Sequence, residues 1–394
     1  MEEVDEGHYE LTFGDGYFGK ALSDGSVISV TYLVTNGQVG NGISSSLTYI
    51  GAATDETGIR LIATPTVLNK TTSDGGATRE EVSSIKFRAP KDFGAQKRCV
   101  TAEDYEALIR QIYPAVDDVY VFGGEILDIP EYGRVYVVIK PVSGDSLSNV
   151  TKNYISKSLD PYRIASLDIR LVDPTVLYVE VVSTVYFDNT KTLKDSSGIT
   201  AVVKSTLSDY SSSSTVSKFG GSVRYSRIVG AVDDSEDSIT RNNTSLRMRR
   251  DIKTLLNTLA SYEICFDNPF AYECDSAVVY SSGFQLELDG IVDPRTFYFE
   301  DDTKGGIYSF YIDANGDKVI FNKEFGTVDY EKGEVLLGYQ KTITFINTTI
   351  GNAILEVRAI PRKQDIIASK TIYLDLDVGK SDILSTIDTE IAGS

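Results

Sequence analysis

The single histidine of this sequence limits the kinds of catalytic site and metal site that the chain can form. His8 lies near the start of the 394-residue chain, among acidic residues. A Ser-His-Asp triad or a Cys-His pair would have to use this residue, and metal sites built from several histidines are excluded. A solvated side chain explains a histidine in these surroundings more simply, so we predict no catalytic residue and no metal site built on it.

Carboxylates could supply acid–base chemistry, but their pattern in this chain is not specific. With 57 acidic residues, adjacent acids such as Asp117-Asp118, Asp233-Asp234 and those at 300–302 are expected by chance. A glycosidase needs two carboxyl groups whose environments separate their pKa values, and nothing around these acids indicates such a contrast. We interpret them as solvated turns and predict no catalytic site.

One segment comes close to a calcium-binding loop. Oxygen-bearing side chains occupy positions 1, 3, 5 and 12 of such a loop, namely those of Asp313, Asn315, Asp317 and Glu324. Position 6 should be glycine for the sharp bend, but Lys318 stands there, and the flanking runs are typical of strands rather than helices. A hairpin turned at Asn315-Gly316 explains the same residues, so we favour the hairpin over a metal site.

A glycine-rich segment at 14–19, GDGYFG, formally matches the dinucleotide-binding motif after a strand-like run. That interpretation requires a helix next, because the N-terminus of the helix holds the pyrophosphate. The chain continues instead into a second alternating run, 27–33, which predicts a strand. We interpret the glycines as a tight turn and predict no cofactor.

The basic cluster of the sequence is Arg241, Arg247, Arg249 and Arg250, on and just beyond a strand predicted at 238–248. Alternate residues of a strand share a face, so Arg247 and Arg249 project to the same side. Two interpretations stay open for them: contact with an acidic partner or a neighbouring subunit, and an internal edge of salt bridges. Arg241, Arg247 and Arg249 are the candidate interaction residues.

Bulk properties narrow the possible partners. The net charge of −19 repels phosphate backbones, so nucleic acid is not an expected partner. No apolar run reaches the roughly 18 residues of a membrane span. Three widely spaced cysteines, Cys99, Cys265 and Cys274, indicate a reducing compartment. The 24 tyrosines and 16 phenylalanines favour a β-rich chain with large contact surfaces.

The clearest local structure is a helix that begins at Thr101. The hydroxyl of Thr101 can cap the helix, and Asp104 stands where a capping box needs an acid. Apolar residues recur at helical spacing, namely Tyr105, Leu108, Ile109 and Ile112. Pro114 then ends the helix.

The alternation of helical and strand patterns predicts two small α+β units. The first comprises this helix, paired strands at 116–122 and 134–139, a helix at 150–159 and a strand at 164–172. The second unit comprises the elements at 176–187 (strand), 199–210 (helix), 223–232 (short helix or turn) and 238–248 (strand).

From about residue 251 onward, short strands at regular intervals predict a sandwich or a pair of packed sheets, followed by a polar tail at 381–391. The predicted fold class is therefore multidomain α+β, with a β-hairpin-rich N-terminal part, the two α+β units and a C-terminal all-β, sandwich-like domain. The predicted boundaries are 1–87, 88–173, 174–255 and 256–394.

Two segments resemble one known family. Residues 88–108 follow the pattern RAP…F.AQ.R.VT..DYEAL, and residues 13–42 follow FGDG.FG…G..I.V.Y..TNG..GNG. Both patterns are similar to those of the baseplate J-like proteins, and within them of the ring-forming baseplate wedge subunits of T4-type contractile-tailed phages. In these relatives the second pattern lies well inside a longer polypeptide, so two alternatives stay open: Met1 is the native start, or it opens a fragment.

The resemblance implies a non-enzymatic structural protein of the virion, assembled in the host cytoplasm. Such subunits form homodimers through their C-terminal part and join other wedge proteins. Six wedges then close a ring around the tail hub, and the ring changes diameter when the sheath contracts. The alternative is a tail-borne glycan-binding or carbohydrate-active module that uses the aromatic residues of the C-terminal domain, namely Phe297, Tyr298, Phe299, Tyr308 and Tyr311.

Overall fold

The computed structural model describes residues 2–5, 8–17, 19–31, 37–41, 54, 60, 76, 85–86, 89–90, 93, 98–127, 129–164, 166–212, 215–272, 276–288, 291–338, 343–351 and 353–389. The chain divides into two compact units, Met1–Arg79 and Glu80–Ser394. Much of the predicted N-terminal region 1–87, and Cys274, lie outside the described residues.

In the first unit, strands β1 (Glu2–Asp5) and β2 (His8–Glu10) form an antiparallel hairpin, and a 3-10 helix spans Gly37–Gly40. The glycine-rich segment turns back on itself, with the N–H of Gly16 donating to the carbonyl of Gly19. Residues 19–31 contain no helix, which agrees with a turn. The strand predicted at 27–33 is wrong over its described part, 27–31. Alternation alone cannot form a strand, because a strand also needs a partner for its backbone.

Helix α1 (Ala102–Ile112) opens the first α+β layer, and its local signals are confirmed. The Thr101 hydroxyl accepts the N–H of Asp104 at 3.3 Å, and the Asp104 carboxylate accepts the N–H of Thr101 at 2.9 Å. This reciprocal capping box satisfies donors that the first turn leaves unpaired. Tyr105 and Ile109 are buried on the inner face, and the helix ends two residues before Pro114.

Three strands complete this layer: β3 (Val116–Gly123), β4 (Arg134–Pro141) and β5 (Asp168–Val172). The first two pair, as predicted, and are antiparallel, while β5 runs parallel to β4 after the crossover helix α2 (Asn149–Leu159). The third strand is shorter than predicted, beginning at Asp168. The helices and the sheet share one apolar core, which includes Ile109, Val119, Val137, Ile155 and Leu159.

The second α+β unit is built on a long antiparallel pair. Its elements are β6 (Thr175–Phe187), α3 (Ser196–Ser211), β7 (Lys218–Phe219), β8 (Ser222–Val223), α4 (Tyr225–Asp233) and β9 (Ile239–Lys253). Strands β6 and β9 pair from Tyr178 to Phe187 of β6. Both helices share a core with one face of these strands, and that core includes Leu177, Val179, Leu246, Val203 and Ile228.

The C-terminal part is mostly β. Its strands are β10 (Tyr262–Cys265), β11 (Val279–Ser281), β12 (Phe284–Leu288), β13 (Ile291–Val292), β14 (Phe297–Asp301), β15 (Gly306–Ile312), β16 (Lys318–Asp329), β17 (Glu334–Leu337), β18 (Phe345–Thr348), β19 (Ile354–Ala359), β20 (Ile366–Ile367), β21 (Ile372–Leu376) and β22 (Asp382–Ile387). The multidomain α+β fold class is confirmed, and the predicted domain boundaries stay a prediction.

The C-terminal strands join the sheet of the second unit. The strand order is β10-β17-β16-β15-β14-β11-β19-β9-β6-β21-β7, with β22 also paired to β6. Strand β19 is antiparallel to β9, whereas β21 and β22 run parallel to successive halves of β6. Between these halves, the N–H of Val181 donates to the hydroxyl of Ser381 at 2.9 Å.

The polar tail predicted at 381–391 is wrong over residues 382–387, which form β22. Its alternating pattern is short, and six residues with a serine and a threonine give little local evidence of a strand. Pairing with β6, which is distant in sequence, supplies the backbone partners that make this segment a strand.

The capping box gives a first prediction. We expect Thr101→Ala to destabilise the α1 layer by about 1 kcal/mol, because the side-chain acceptor at the N-cap is lost. Thr101→Ser, which keeps the hydroxyl, is the matched control and should unfold like the parent chain. Urea unfolding followed by circular dichroism measures both, and equal stabilities for the alanine and serine variants would contradict the role of the cap.

Candidate functional site

The two faces of β6 differ sharply in character. Successive side chains alternate between faces, and Leu177, Val179 and Val181 all point into the helix-covered core. On the opposite face, Tyr178 and Glu180 follow the same alternation, and Glu180 is 0% exposed. A fully buried carboxylate is costly unless charged partners and hydrogen bonds surround it. The partners of Glu180 therefore indicate the role of this face of β6.

Three arginines from two neighbouring strands bind Glu180. On β9, Arg249 Nη1 donates to Glu180 Oε1 at 2.6 Å, and Arg247 Nε donates to Oε2 at 2.8 Å. On β19, Arg358 makes a two-pronged contact, with Nε 3.0 Å from Oε2 and Nη2 3.1 Å from Oε1. Such charge-assisted, bidentate contacts are the strongest that arginine makes with a carboxylate.

Further acids and one lysine balance the arginines. Arg249 also contacts Asp251 and Asp377, each at 2.8 Å, and Arg247 contacts Asp382 at 2.8 Å. Arg358 contacts Glu356 at 2.8 Å, and Lys380 donates to the same glutamate. We name the whole set the Glu180 cluster, which consists of Glu180, Arg247, Arg249, Asp251, Glu356, Arg358, Asp377, Lys380 and Asp382.

The Glu180 cluster crosses the sheet and reaches beyond it. It joins β6, β9 and β19 with Asp377 and Lys380, which lie in the connection between β21 and β22, and with the first residue of β22. The Arg249 guanidinium also lies 4.3 Å from the ring centroid of Tyr178, a cation–π contact. The cluster therefore links strands that are far apart in sequence.

Electrostatics keep Glu180 ionised. Burial raises the pKa of Glu180, but hydrogen bonds from Arg358 and Arg249 outweigh it and hold the pKa below the ordinary value. The pKa of Arg249 is raised, since its contacts with Asp251, Glu180 and Asp377 outweigh its burial. With its carboxylate ionised and bound by three guanidinium groups, Glu180 can hold β6, β9 and β19 together.

The structure places the three predicted interaction residues in two locations. Arg247 and Arg249 share a face, as predicted, and both belong to the Glu180 cluster, which fits the internal alternative. Arg241 lies apart from them, 3.3 Å from Asp388 and over the ring of Tyr186 at 4.5 Å. Contact of any of the three with a partner stays a prediction.

Sequence reasoning missed the centre of the cluster. Glu180 is the one charge within the apolar run VLYVEVV, and an isolated charge in a buried strand is a usable signal, because such charges need partners. Arg358 and Asp377 gave no comparable signal, since each lies more than 100 residues from its partner on β9 or β6.

Polar contacts also form the boundary between the first α+β layer and this sheet. Tyr373 of β21 donates to Asp117, and the N–H of Phe219 donates to Asp118 at 2.9 Å. Lys140, which is buried, lies 5.6 Å from the ring centroid of Tyr373. The apolar component here is small and consists of Val176, Tyr178 and Tyr373, with Phe219 packed against them.

This boundary also holds an acid with a raised pKa. Burial is the main reason that the pKa of Asp375 lies above its ordinary value. Lys140 acts in the opposite direction, while Asp377, Asp117 and Asp145 add repulsion that raises the pKa further. Asp375 therefore opposes folding when it is ionised.

The carboxylates of Asp313 and Asp301 both accept hydrogen bonds from the backbone. The Asp313 carboxylate accepts the N–H groups of Asn315 and Asp317 at 2.8 and 2.9 Å, at the turn between β15 and β16. Gly316 has φ of 89°, in the left-handed region that glycine favours. The hairpin interpretation is thus confirmed.

The prediction of solvated turns is wrong for Asp117 and Asp118, which lie on β3, and for Asp301, which is buried at the end of β14. Asp301 accepts the N–H groups of Val278 and Val279, because a buried carboxylate needs such donors.

A cavity of about 580 Å³ opens beside these loops, lined by residues that include Tyr280, Glu300, Asp302, Tyr308 and Lys318. Glu300 is already bound by Lys318 at 2.5 Å and by the hydroxyl of Tyr308 at 3.1 Å. Of the aromatic residues in the glycan-binding alternative, Phe297 and Phe299 are 0% exposed and belong to the core, where they cannot stack on a sugar.

One group of potential metal ligands appears in the described part of the chain: Glu263, Cys265 and Glu334, whose ligand atoms lie within 4.8 Å of one another. Burial raises the pKa of the Cys265 thiol, and Glu334 and Glu263 raise it further. A thiol held in its neutral form is a poor metal ligand. Across the described helices, none is long and apolar enough to cross a membrane.

The cluster gives a second prediction. We expect Glu180→Gln to lower the free energy of unfolding by about 3–5 kcal/mol, because buried guanidinium groups lose their shared anion. The matched control is Glu131→Gln, which breaks an ion pair with Arg134 at partly exposed positions and should leave the unfolding midpoint unchanged. Denaturant unfolding measures both, and similar effects for the two variants would contradict the central role of Glu180.

The same site predicts a pH dependence. Because the pKa of Glu180 is lowered in the folded state, its ionised form stabilises the fold fully above the ordinary pKa of 4.5. This contribution is lost as the pH falls through the lowered folded value. Stability curves of the parent and of Glu180→Gln should therefore converge in acid.

Asp375 should behave in the opposite way. Its raised folded pKa means that the cost of ionisation is absent below the ordinary value of 3.8 and grows as the pH rises through the folded value. We expect Asp375→Asn to unfold at a higher temperature than the parent at pH 7, with the difference vanishing in acid. Asp209→Asn, at an exposed position on α3, is the control. A variant less stable than the parent at pH 7 would refute this.

Comparison with known proteins gives matches in the two α+β units. Residues 101–172 match the family model of baseplate structural protein gp6, C-terminal domain I. Residues 175–251 match the model of baseplate structural protein gp6, C-terminal domain III. The boundary between the matches coincides with the step from β5 to β6.

An individual relative points the same way. Over 331 residues the chain is 23% identical to baseplate wedge protein gp6 of Enterobacteria phage T4, covering 77% of this chain and 49% of the relative. The chain thus spans about half the length of that protein. A chain in the six-fold symmetrised cryo-EM structure of the anti-feeding prophage baseplate aligns at 18% identity, with a TM-score of 0.32, over 48% of this chain and 43% of that one.

The matching descriptions narrow the resemblance from the broad baseplate J-like family to one type of subunit. The chain is similar to the baseplate wedge protein gp6, with counterparts of its C-terminal domains I and III in residues 101–172 and 175–251.

Proposed function

We propose that this chain is a structural subunit of the baseplate wedge in a contractile phage tail. The observation that carries the proposal is the succession of two gp6 C-terminal domains along residues 101–251. The chain would reside in the virion and act through contacts with copies of itself and with other wedge proteins, without catalysing a reaction.

The Glu180 cluster supports such a role, because it makes one body of the second α+β unit and the C-terminal strands. A baseplate subunit must carry force between neighbours without losing its own shape. Buried, multiply bonded charges resist sliding of β6, β9 and β19, since any shift in register would leave a buried charge without its partner. Force applied at either end of the sheet would therefore move the sheet as a whole.

The boundary at the first α+β layer supports the rearrangement part of the proposal. The layer has an apolar core of its own, distinct from that of the large sheet. The contacts between them are mainly hydrogen bonds between aspartate and its donors, and a small aromatic cluster. Contacts of this kind can be exchanged without exposing a large apolar core. We therefore propose that the chain rearranges at this boundary when the sheath contracts.

We infer from the resemblance that two copies pair and that six wedges close into a ring around the hub. Among the candidate interaction residues, Arg241 suits contact with a partner best. Its side chain is 46% exposed, compared with 19% for Arg247 and 2% for Arg249. An acidic group on a neighbouring wedge protein is the expected counterpart.

Assembly in solution tests this function. We expect sedimentation velocity at increasing concentrations to show a dimer, and a larger complex when the chain is mixed with the neighbouring wedge protein of its own phage. A chain that stays monomeric under both conditions would contradict the proposal.

A screen of glycans with the purified chain addresses the alternative function. Glycan binding or turnover that is abolished by Glu300→Gln, but not by Glu131→Gln, would favour a carbohydrate-active module over a wedge subunit.

A further inference from the structure

Strand β22 has a long outer edge that no described strand covers. It pairs with β6 on one side over six consecutive residues, from Asp382 to Ile387, without a bulge. The other outer strands at the ends of these sheets differ from β22: β7 has two residues, β10 has four, and β5 carries Asp168 and Arg170. Strand β3 is longer, but it carries Asp117 and Asp118, which accept from Tyr373 and Phe219. Proteins usually protect long regular edges, since an open edge pairs readily with another strand.

The composition of β22 also suits pairing. Residues 383–387, with the sequence ILSTI, include no charge and no proline. Leu384 is 64% exposed and Ile387 is 41% exposed, although both are strongly apolar. Charged residues occur only outside this stretch, where Arg247 holds Asp382 and Arg241 holds Asp388.

The ends of β22 are held in place before any partner arrives. At its start, Asp382 belongs to the Glu180 cluster, and the preceding Ser381 binds the backbone of β6. On the helix side, the Ser385 hydroxyl lies 2.9 Å from that of Thr200 on α3. A strand fixed in this way loses little conformational freedom on binding, which favours association.

We propose that β22 pairs antiparallel with β22 of a second copy, so that two large sheets become continuous across a two-fold axis. The inference rests on the proposed function as a homodimer and names the surface that forms it. Self-pairing of a strand is the simplest isologous contact, because the same residues face each other in both directions.

The charges around β22 select the register. If the axis passes through Leu384, the two leucines face each other, Asp382 faces Thr386 of the second copy, and Lys380 comes opposite Asp388. If the axis passes through Ser385 instead, Asp382 faces Asp388, and like charges directly opposite are unfavourable. The register centred on Leu384 therefore carries the interaction.

A lysine at the centre of the contact tests the surface. We expect Leu384→Lys to raise the dimer dissociation constant at least ~10-fold, because two lysines would face each other across the axis. The matched control is Ile367→Lys on β20, whose side chain is 63% exposed in the folded chain and lies outside the contact. Sedimentation equilibrium measures both constants, and circular dichroism confirms that both variants are folded.

Cysteine cross-linking tests the register. Facing positions of an antiparallel pair lie within the Cα separation that a disulfide spans, and positions four residues out of register do not. Oxidised Leu384→Cys should therefore give a covalent dimer, whereas Thr386→Cys and the unsubstituted chain, with its native thiols, should not.

The outcomes separate this inference from the proposed function. A dimer that survives Leu384→Lys and is not trapped by Leu384→Cys overturns pairing through β22 and leaves the homodimer intact. Absence of any dimer in the unsubstituted chain overturns both. Loss of the dimer in Leu384→Lys alone, together with cross-linking at position 384, supports the edge pairing.

Discussion

The burial of one carboxylate constrains this molecule more than any other contact. Glu180 lies in the middle of β6 with no exposed surface, where an unpaired charge would cost several kcal/mol. Its two oxygens accept from three guanidinium groups, supplied by β9 and β19. The folded chain must therefore bring residues 247–249 and 358 beside Glu180. Strands β9 and β19, which carry these residues, lie next to each other, and β9 also pairs with β6.

Because Glu180 and its partners lie on one side of β6, the large sheet has two distinct faces. One face packs against α3 and α4 through aliphatic side chains, which is the usual way for a sheet to bury apolar surface. The other face holds paired charges, with Tyr178 stacked on Arg249. Apolar packing supplies most of the driving force for folding, since it is not directional. The contacts of the charged face are directional, because a shift in register would leave a buried charge without its partner.

Two kinds of contact, ion pairs within the sheet and hydrogen bonds at its boundary, suit a subunit of a large assembly. Ion pairs across β6, β9 and β19 hold the sheet, whereas the boundary to the first α+β layer depends on contacts such as Tyr373 with Asp117. An assembly that changes its diameter needs rigid parts joined by surfaces that can exchange partners. The two matches to gp6 C-terminal domains lie on opposite sides of this boundary.

The sequence by itself determined the elements whose signals are local. The capping box at Thr101, the paired strands β3 and β4, the helices α2 and α3, the long strand β6 and the hairpin at Asp313 all follow from periodicity, caps and turn residues. These signals act between residues a few positions apart, where the geometry of the backbone is almost fixed. The shared face of Arg247 and Arg249 followed for the same reason, as did the resemblance to wedge subunits, since its motifs are short and contiguous.

Only the tertiary structure decided which strands meet and what the charges do. Arg249 binds Glu180 and Asp377, which lie 69 and 128 residues away in sequence, and no local pattern encodes such distances. Strand β22 exists because β6 is available beside it, whereas residues 27–31 alternate equally well and form no strand. A strand takes its hydrogen bonds from another part of the chain, so the folded arrangement decides whether an alternating sequence becomes one.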